Sequence, residues 1–338
     1  MKVPSARAPL FLGDGQIEFE ERTIPSPGPG ELLLRVRANA ICGSDRAQYQ
    51  GGSNVVPGHE AVGTVEAVGY ETRTSVGTTG AVYLMDYCGR CRSCAMGLTN
   101  QCLAKRADMG FTRDGGFGPY EVVHETNFFP VPDDLPPAEA TLLLDVMGTS
   151  GHALHRARLV RPDIESICIV GAGPIGLGIL VVARLTFGAD FPIRVTDISQ
   201  WRRDYAERLG GIAVDATDPI AIRNLPPSDV AFDATGKSSG RLVALGALDR
   251  RGVLVCVGHG DTLTLDVSAD LIAPERAVLG SEYFPFSDLG PNLELLLANR
   301  EALRAVITHS YPVEQLKLAF ETFLGGETGK VVVTQGAN

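Results

Sequence analysis

A chain of 338 residues exceeds what one hydrophobic core usually accommodates, and its 44% apolar content suits packed domains, so two domains are expected. The formal charge of −10 argues against nucleic acid as a partner, because counterion release there needs clustered Lys and Arg. The longest apolar stretch, residues 175–183, is broken by glycine and soon reaches Arg184, and the opening MKVPSARAPL lacks the apolar run of a secretory signal; no membrane span and a cytoplasmic location are expected.

From Glu31 to about Val131, short β-rich runs (ELLLRVRANAI, AVGTVEAV, GAVYLM, YEVVH) alternate with glycine-rich turns, the pattern of an irregular all-β module. Inside it, Cys88, Cys91, Cys94 and Cys102 form C-x2-C-x2-C-x7-C. A long chain without a secretory signal points to metal ligation before disulfides. Thiolates this close can wrap one tetrahedral zinc, and four of them leave no open position, so that metal would be structural. An iron–sulfur cluster or free thiols are the alternatives, and nothing else in the chain suggests electron transfer.

After Pro136 the pattern changes. An apolar segment through Leu144 leads to the buried strand ICIV, a glycine turn and a helix. Strands follow at IRVTDI, DVAFDATG, GVLVCVGHG and AVLGSEY, with helices at Gln200 to Leu209 and around Ser239 to Leu248, which predicts a parallel doubly wound sheet. Two helices and a terminal strand, GKVVVTQ, complete the chain. Cys168 and Cys256 fall in predicted buried strands as small apolar thiols.

The turn after ICIV reads G-A-G-P-I-G, with Gly171, Gly173 and Gly176 around Pro174 and Ile175. The first glycine permits the tight turn, the second admits a pyrophosphate to the backbone, and the third lets helix pack on strand. Asp197, twenty-one residues beyond Gly176, ends the next predicted strand, where a carboxylate accepts hydrogen bonds from adenosine ribose hydroxyls. It would repel a 2′-phosphate, which favours NAD over NADP, although Arg202 and Arg203 lie close enough to accommodate one.

Four further potential ligands stand apart in three short motifs: Cys42 in I-C-G-S-D, His59 and Glu60 in P-G-H-E, and Asp145 in L-L-L-D-V. Each alone has an ordinary explanation in a hydrogen-bond network. Together, in this order, with the four-cysteine lobe and the dinucleotide turn, the chain resembles the medium-chain zinc-dependent alcohol/polyol dehydrogenase family over essentially its whole length. The stretch G-H-E-A-V-G-T-V-E-A-V-G from Gly58 to Gly69 looks like that family's zinc signature. The resemblance implies Cys42 and His59 as ligands of a catalytic zinc and Glu60 as a ligand or its close neighbour. Asp145 stands where alcohol dehydrogenases place cysteine, polyol dehydrogenases glutamate and formaldehyde dehydrogenases aspartate. Val146, where proline is common, and T-T-G-A-V around Gly80, where G-D-R-V is common, depart from the family pattern without removing a reactive group.

The resemblance further implies an α/β protein with a GroES-like, mostly-β catalytic domain over residues 1–147 and 284–338 and a Rossmann domain over 148–283. A zinc with an open fourth position would act as a Lewis acid on a substrate hydroxyl, and hydride would pass to the nicotinamide. Ser44 stands at the proton-relay position, Thr149 against the nicotinamide ring, and Ile175 and Arg202 beside the adenosine half. The C-G-S-D motif and acidic third ligand look closer to polyol, sugar and threonine dehydrogenases than to simple alcohol dehydrogenases. The expected reaction is therefore reversible oxidation of a secondary hydroxyl on a polyol, sugar, aminocyclitol or amino sugar, with two zincs and NAD per chain and a homodimer or homotetramer. A zinc-independent reductase of an enone or quinone, or an inactive nucleotide-binding relative, are the rival readings.

Overall fold

A computed structural model describes residues 4–336. The first element is a hairpin absent from the sequence reading, Ser5–Gly13 paired antiparallel with Gln16–Thr23. Its turn is Asp14-Gly15, both with positive φ (48° and 70°), a strong hairpin dipeptide. Ala8 and Phe11 of this hairpin pack with Tyr49, Phe117 and Phe320.

The predicted β module is a seven-stranded sheet in the order Ile307–Pro312, Lys330–Thr334, Glu31–Ile41, Ala61–Val68, Thr79–Val82 and Phe128–Pro130, with Tyr120–His124 also paired to Glu31–Ile41. The run GAVYLM is not one strand: Thr79–Val82 stays in this sheet, while Met85–Asp86 leaves it to pair with Ala107–Asp108 at the cysteine lobe. The end of the chain closes the module, since Val331 lies opposite Ile41 in an antiparallel ladder. The region before it holds three helices, Leu289–Ala298, Arg300–Arg304 and Leu316–Gly325, where two were expected, and the additional strand Ile307–Pro312.

The other half is a six-stranded parallel sheet, ordered Ile212–Asp215, Ile193–Asp197, Ile167–Val170, Ser228–Asp233, Leu248–Cys256 and Ala277–Gly280. The first strand in the chain, Ile167–Val170, sits in the interior, and the connections run outward from it both ways. That reversal opens a crevice at the carboxyl ends of the central strands, where such sheets take ligands. Helices occur at Pro174–Phe187, Gln200–Arg208 and Ser238–Gly246. The unanticipated strand Ile212–Asp215 is a partly exposed edge, so it lacks the apolar run that marks its buried neighbours.

One apolar cluster joins the two halves, from Val62, Ala81 and Tyr83 through Leu142–Leu144 and Val146 to Ile169, Leu177 and Phe232. No helix among the described residues is long and apolar enough to cross a membrane.

Candidate active site

Cys42 follows the last residue of Glu31–Ile41 and opens the short helical turn Gly43–Asp45. Its backbone N–H donates to Asp45 Oδ2 at 2.9 Å, so the acid three residues on clamps the turn that presents the thiol. His59 and Glu60 lie between Gly58 and Ala61–Val68. Gly58 has φ +102°, and a Cβ there would stand 2.8 Å from the Phe117 nitrogen and from Asn39 Nδ2, so only glycine fits the bend that delivers His59.

The second oxygen of Asp45 is 3.0 Å from His59 Nδ1. A carboxylate only accepts, so Nδ1 carries hydrogen and Nε2 is the atom turned to the remaining groups. Nε2 lies 3.5 Å from Ser44 Oγ and 3.7 Å from Asp145 Oδ2. Burial works against charge on the imidazole, yet the carboxylates of Asp45 and Asp145 hold its pKa well above the usual range.

Asp145 begins a π-turn, Asp145–Thr149, that leads into the helix Ser150–Val160. Burial raises its pKa, but His59 and the Lys330 ammonium outweigh that and hold the carboxyl well below its ordinary value. Thr149, also buried, lies within donating distance of Asp145 Oδ1 at 3.5 Å. The helix Pro174–Phe187 packs tightly on this turn: a Cβ on Gly178 would meet Ser150 Oγ and the Val146 carbonyl at 2.6 Å. The glycine-turn helix thereby supports the segment that carries Asp145.

Glu60 and Lys330 form a buried ion pair, Nζ to Oε1, with the lysine 1% exposed. Nζ is also 3.9 Å from Asp145 Oδ2. The other oxygen of Glu60 is buried without a partner. Burial and the Asp145 charge push the Glu60 pKa up to about 8 against the pull of Lys330. Neither Lys330 nor Asp45 is marked as part of this group by its local sequence. The signals available were a lysine opening the apolar strand KVVVT and an acid closing the C-G-S-D turn.

One donor atom from each of Cys42, His59, Glu60 and Asp145 lies within 4.8 Å of the others. Bonds of about 2.0–2.3 Å in tetrahedral geometry put zinc ligands roughly 3.3–3.8 Å apart, so this sulfur, nitrogen and oxygen set needs only a slight contraction to hold zinc. The carboxylate on the far imidazole nitrogen is the usual support of a metal-bound histidine. Cys88, Cys91, Cys94 and Cys102 form a second such group. There the backbone N–H groups of Cys94 and Leu103 point at Cys91 Sγ and bring its pKa down to about 6, toward the thiolate that a metal requires.

At the nucleotide turn Gly171 has φ +96°, and a Cβ on Gly176 would meet the Gly171 carbonyl at 1.8 Å. Around Gly173 the space is open, with only Arg202 Nη1 within 4 Å of a Cβ there, so the turn can receive a pyrophosphate at the helix start marked by Pro174 and Ile175. Asp197 is pinned by the N–H groups of Ala172 at 2.7 Å and Ser199 at 2.8 Å. Arg202 stands 3.9 Å from its carboxylate. Arg203 does not share that position: it is buried, donating to the carbonyls of Asp197 and Ile198 and pairing with Asp215.

The aromatic residues Tyr83, Tyr87, Phe284 and Phe286 pack against one another at centroid distances of 5.4–5.9 Å. Cys168 is buried in Ile167–Val170, whereas Cys256, at the end of its strand, is partly exposed.

Comparison with known proteins supplies independent findings. A family profile described as the alcohol dehydrogenase GroES-like domain matches residues 28–133, and one described as zinc-binding dehydrogenase matches residues 174–298. The chain is 29% identical to the L-threonine 3-dehydrogenase of Deinococcus deserti, covering 97% of this chain and 96% of that protein. A cobalt- and zinc-bound thermostable alcohol dehydrogenase from Pyrobaculum aerophilum superposes with a TM-score of 0.85 at 28% identity, covering 98% of this chain and 100% of the other. The L-idonate 5-dehydrogenase of Escherichia coli gives 0.83 at 26%, covering 97% of each.

Proposed function

Because this chain belongs to the zinc-dependent medium-chain alcohol dehydrogenase family, oxidoreductases with a GroES-like and a Rossmann part, we propose that it is an NAD-linked dehydrogenase of a secondary hydroxyl. The observation that carries the reading is the convergence of Cys42, His59, Glu60 and Asp145 beside the helix of the glycine turn. Residues 1–147 with 284–338 would form the catalytic part and 148–283 the cofactor part.

Cys42, His59 and Asp145 would hold the catalytic zinc, with Glu60 kept in reserve by Lys330, and the four-cysteine lobe would hold a structural one. When bound, the zinc supplies Lewis acidity toward the substrate hydroxyl and the nicotinamide accepts the hydride. Asp45 fixes the imidazole so that Nε2 faces the donor group. Ser44 Oγ, 3.5 Å from that nitrogen, would take the hydroxyl proton and pass it outward. Thr149, 3.5 Å from Asp145 Oδ1, would lie against the nicotinamide ring. The glycine turn would bind pyrophosphate and Asp197 the ribose, its charge disfavouring a 2′-phosphate, with Arg202 beside it and Arg203 withdrawn.

For the substrate we favour a polyol, sugar, aminocyclitol or amino sugar. The relatives named for L-idonate and L-threonine support a hydroxyl with polar neighbours.

The test is elemental analysis of zinc per chain together with assays of NAD and NADP reduction on secondary alcohols, polyols, sugars and amino sugars. Two zincs and NAD reduction are expected. Cys42→Ala and His59→Ala should each retain the fold, lose one zinc and abolish turnover. Normal turnover in either variant sinks the catalytic assignment, and one zinc without turnover in the parent protein selects the zinc-independent or inactive reading.

A further inference from the structure

We propose that Thr99 and Asn100, in the loop of the four cysteines, are positioning residues for the candidate active site: through the segment 282–286 they hold the turn that carries Asp145. The inference rests on the reading of Cys42, His59 and Asp145 as a metal site, and it makes the affinity of that site depend on a lobe that would otherwise serve stability alone.

Thr99–Gln101 is a single helical turn between two of the lobe's thiols. Backbone bonds tie its surroundings to both. The Gly97 N–H donates to the Cys94 carbonyl at 3.0 Å, and the Cys102 N–H donates to the Thr99 carbonyl at 3.2 Å. The convergence of Cys88, Cys91, Cys94 and Cys102 therefore fixes this turn. Thr99 and Asn100 are buried, while the neighbouring Met96, Leu98 and Leu103 are exposed.

The two buried side chains end on the segment that leads from the last parallel strand, Ala277–Gly280, to the helix Leu289–Ala298. The Phe286 N–H donates to Thr99 Oγ1 at 2.7 Å, and Asn100 Nδ2 donates to the Glu282 carbonyl at 2.8 Å. The Tyr83 hydroxyl donates to the Phe284 carbonyl and lies 3.2 Å from Thr99 Oγ1. With the phenolic hydrogen committed to that carbonyl, Thr99 is the donor across the second contact. The threonine hydroxyl thus both accepts and donates, and Phe286, Thr99, Tyr83 and Phe284 form one continuous run of bonds. Tyr83 is fully buried, so removing a member leaves its neighbours unpaired away from water. The segment needs such holding, because Tyr283 has φ +44°, in the left-handed region that a bulky residue rarely occupies.

The same segment touches the turn of Asp145. A Cβ on Gly148 would stand 2.2 Å from Phe284 Cε1, so the phenyl ring lies directly on the backbone of Asp145–Thr149. That ring is fully buried, with Tyr283 at 4.3 Å and Tyr83 at 5.5 Å between centroids, and a close-packed interior leaves it no room to withdraw. Asp145 Oδ2 stands 3.7 Å from His59 Nε2 while the turn keeps this place. A metal site tolerates displacements of only about 0.5 Å in its ligands, so loosening the segment lowers the affinity of the group that includes Asp145.

The experiment titrates zinc against a chromogenic chelator in the full chain, well below its unfolding midpoint, on the parent, Thr99→Val and Asn100→Ala. Asp145→Asn and Cys102→Ser identify which affinity belongs to which site. Thr99→Val keeps the shape of the side chain and removes only the hydroxyl. Each test variant should weaken the Asp145 site about 10-fold and leave the lobe within about twofold of the parent. A merely structural role would lower the unfolding midpoint without moving the affinity of the Asp145 site. An unchanged affinity there in either folded variant, or an equal loss at both sites, overturns the proposal and leaves the metal-site reading intact. Zinc bound by the parent in the lobe alone overturns that reading and the proposal with it. Should Thr99→Val fail to fold, Asn100→Ala decides alone.

Discussion

Replacing Lys330 with methionine tests whether its charge is what allows two carboxylates to lie buried beside Cys42. The ammonium contacts Glu60 and stands 3.9 Å from Asp145, and burial leaves solvent no means of replacing it. At an effective dielectric of about 20, opposite charges at that separation attract by about 4 kcal/mol. Stranding one member of a buried pair typically costs about 3–5 kcal/mol. A chain of 338 residues has an unfolding entropy of about 0.7 kcal/mol/K, so each kcal/mol moves the midpoint by about 1.4 °C and the metal-free variant should melt roughly 4–7 °C below the parent. Zinc would return positive charge to the same carboxylates, so the metal-loaded variant should lose less. The assay is thermal unfolding by circular dichroism with and without chelator, together with zinc affinity by chelator competition, and Lys330→Arg as the charge-retaining control. Parent-like midpoints for Lys330→Met in both metal states would refute the electrostatic account.

Glu121 offers a test of burial away from the donor residues. Both of its oxygens are buried without partners, and burial holds its pKa well above the ordinary 4.5, with Arg113 opposing and Asp114 adding. The folded chain therefore binds that proton more tightly than the unfolded one, so the stability it contributes is complete below about pH 4.5 and is lost as pH rises through the elevated folded value. Glu121→Gln should gain in midpoint over the parent progressively as pH rises above about 4.5, and a difference that stays constant with pH rejects this reasoning. Asp45→Asn should weaken zinc binding about 10- to 100-fold by loosening the His59 ring, a result checked by chelator competition and contradicted by unchanged affinity. Asp197→Ala should weaken NAD binding and relax rejection of NADP, and an unaltered cofactor ratio in kcat/KM removes the ribose role. Cys91→Ala should lower the zinc content by one and cost mainly stability, and full zinc content in the variant would rule out its place in the lobe.

Much of the candidate site was legible before any coordinates because each piece is local. Four cysteines within one short loop, three glycines between strand and helix, and a His-Glu pair ahead of a strand are set by spacing along a few residues, and the folded chain brings the donor atoms together. The parallel strands could be read for the same reason: buried on both faces, they are continuous apolar runs. What escaped depends on partners distant in the chain. Glu60 and Lys330 are separated by 270 positions, and they meet only because Val331 registers against Ile41, which sets the lysine beside the loop of Cys42. The strand ITHSYP carries no alternation of its own and exists through its pairing with Lys330–Thr334. The inward course of Arg203 likewise became visible only once Asp197, Ile198 and Asp215 were placed around it. Local spacing determines which groups are offered for chemistry, whereas the counter-charges that let them be buried are decided by strand register, because a charge removed from water is stabilised only by what tertiary packing brings within a few ångströms.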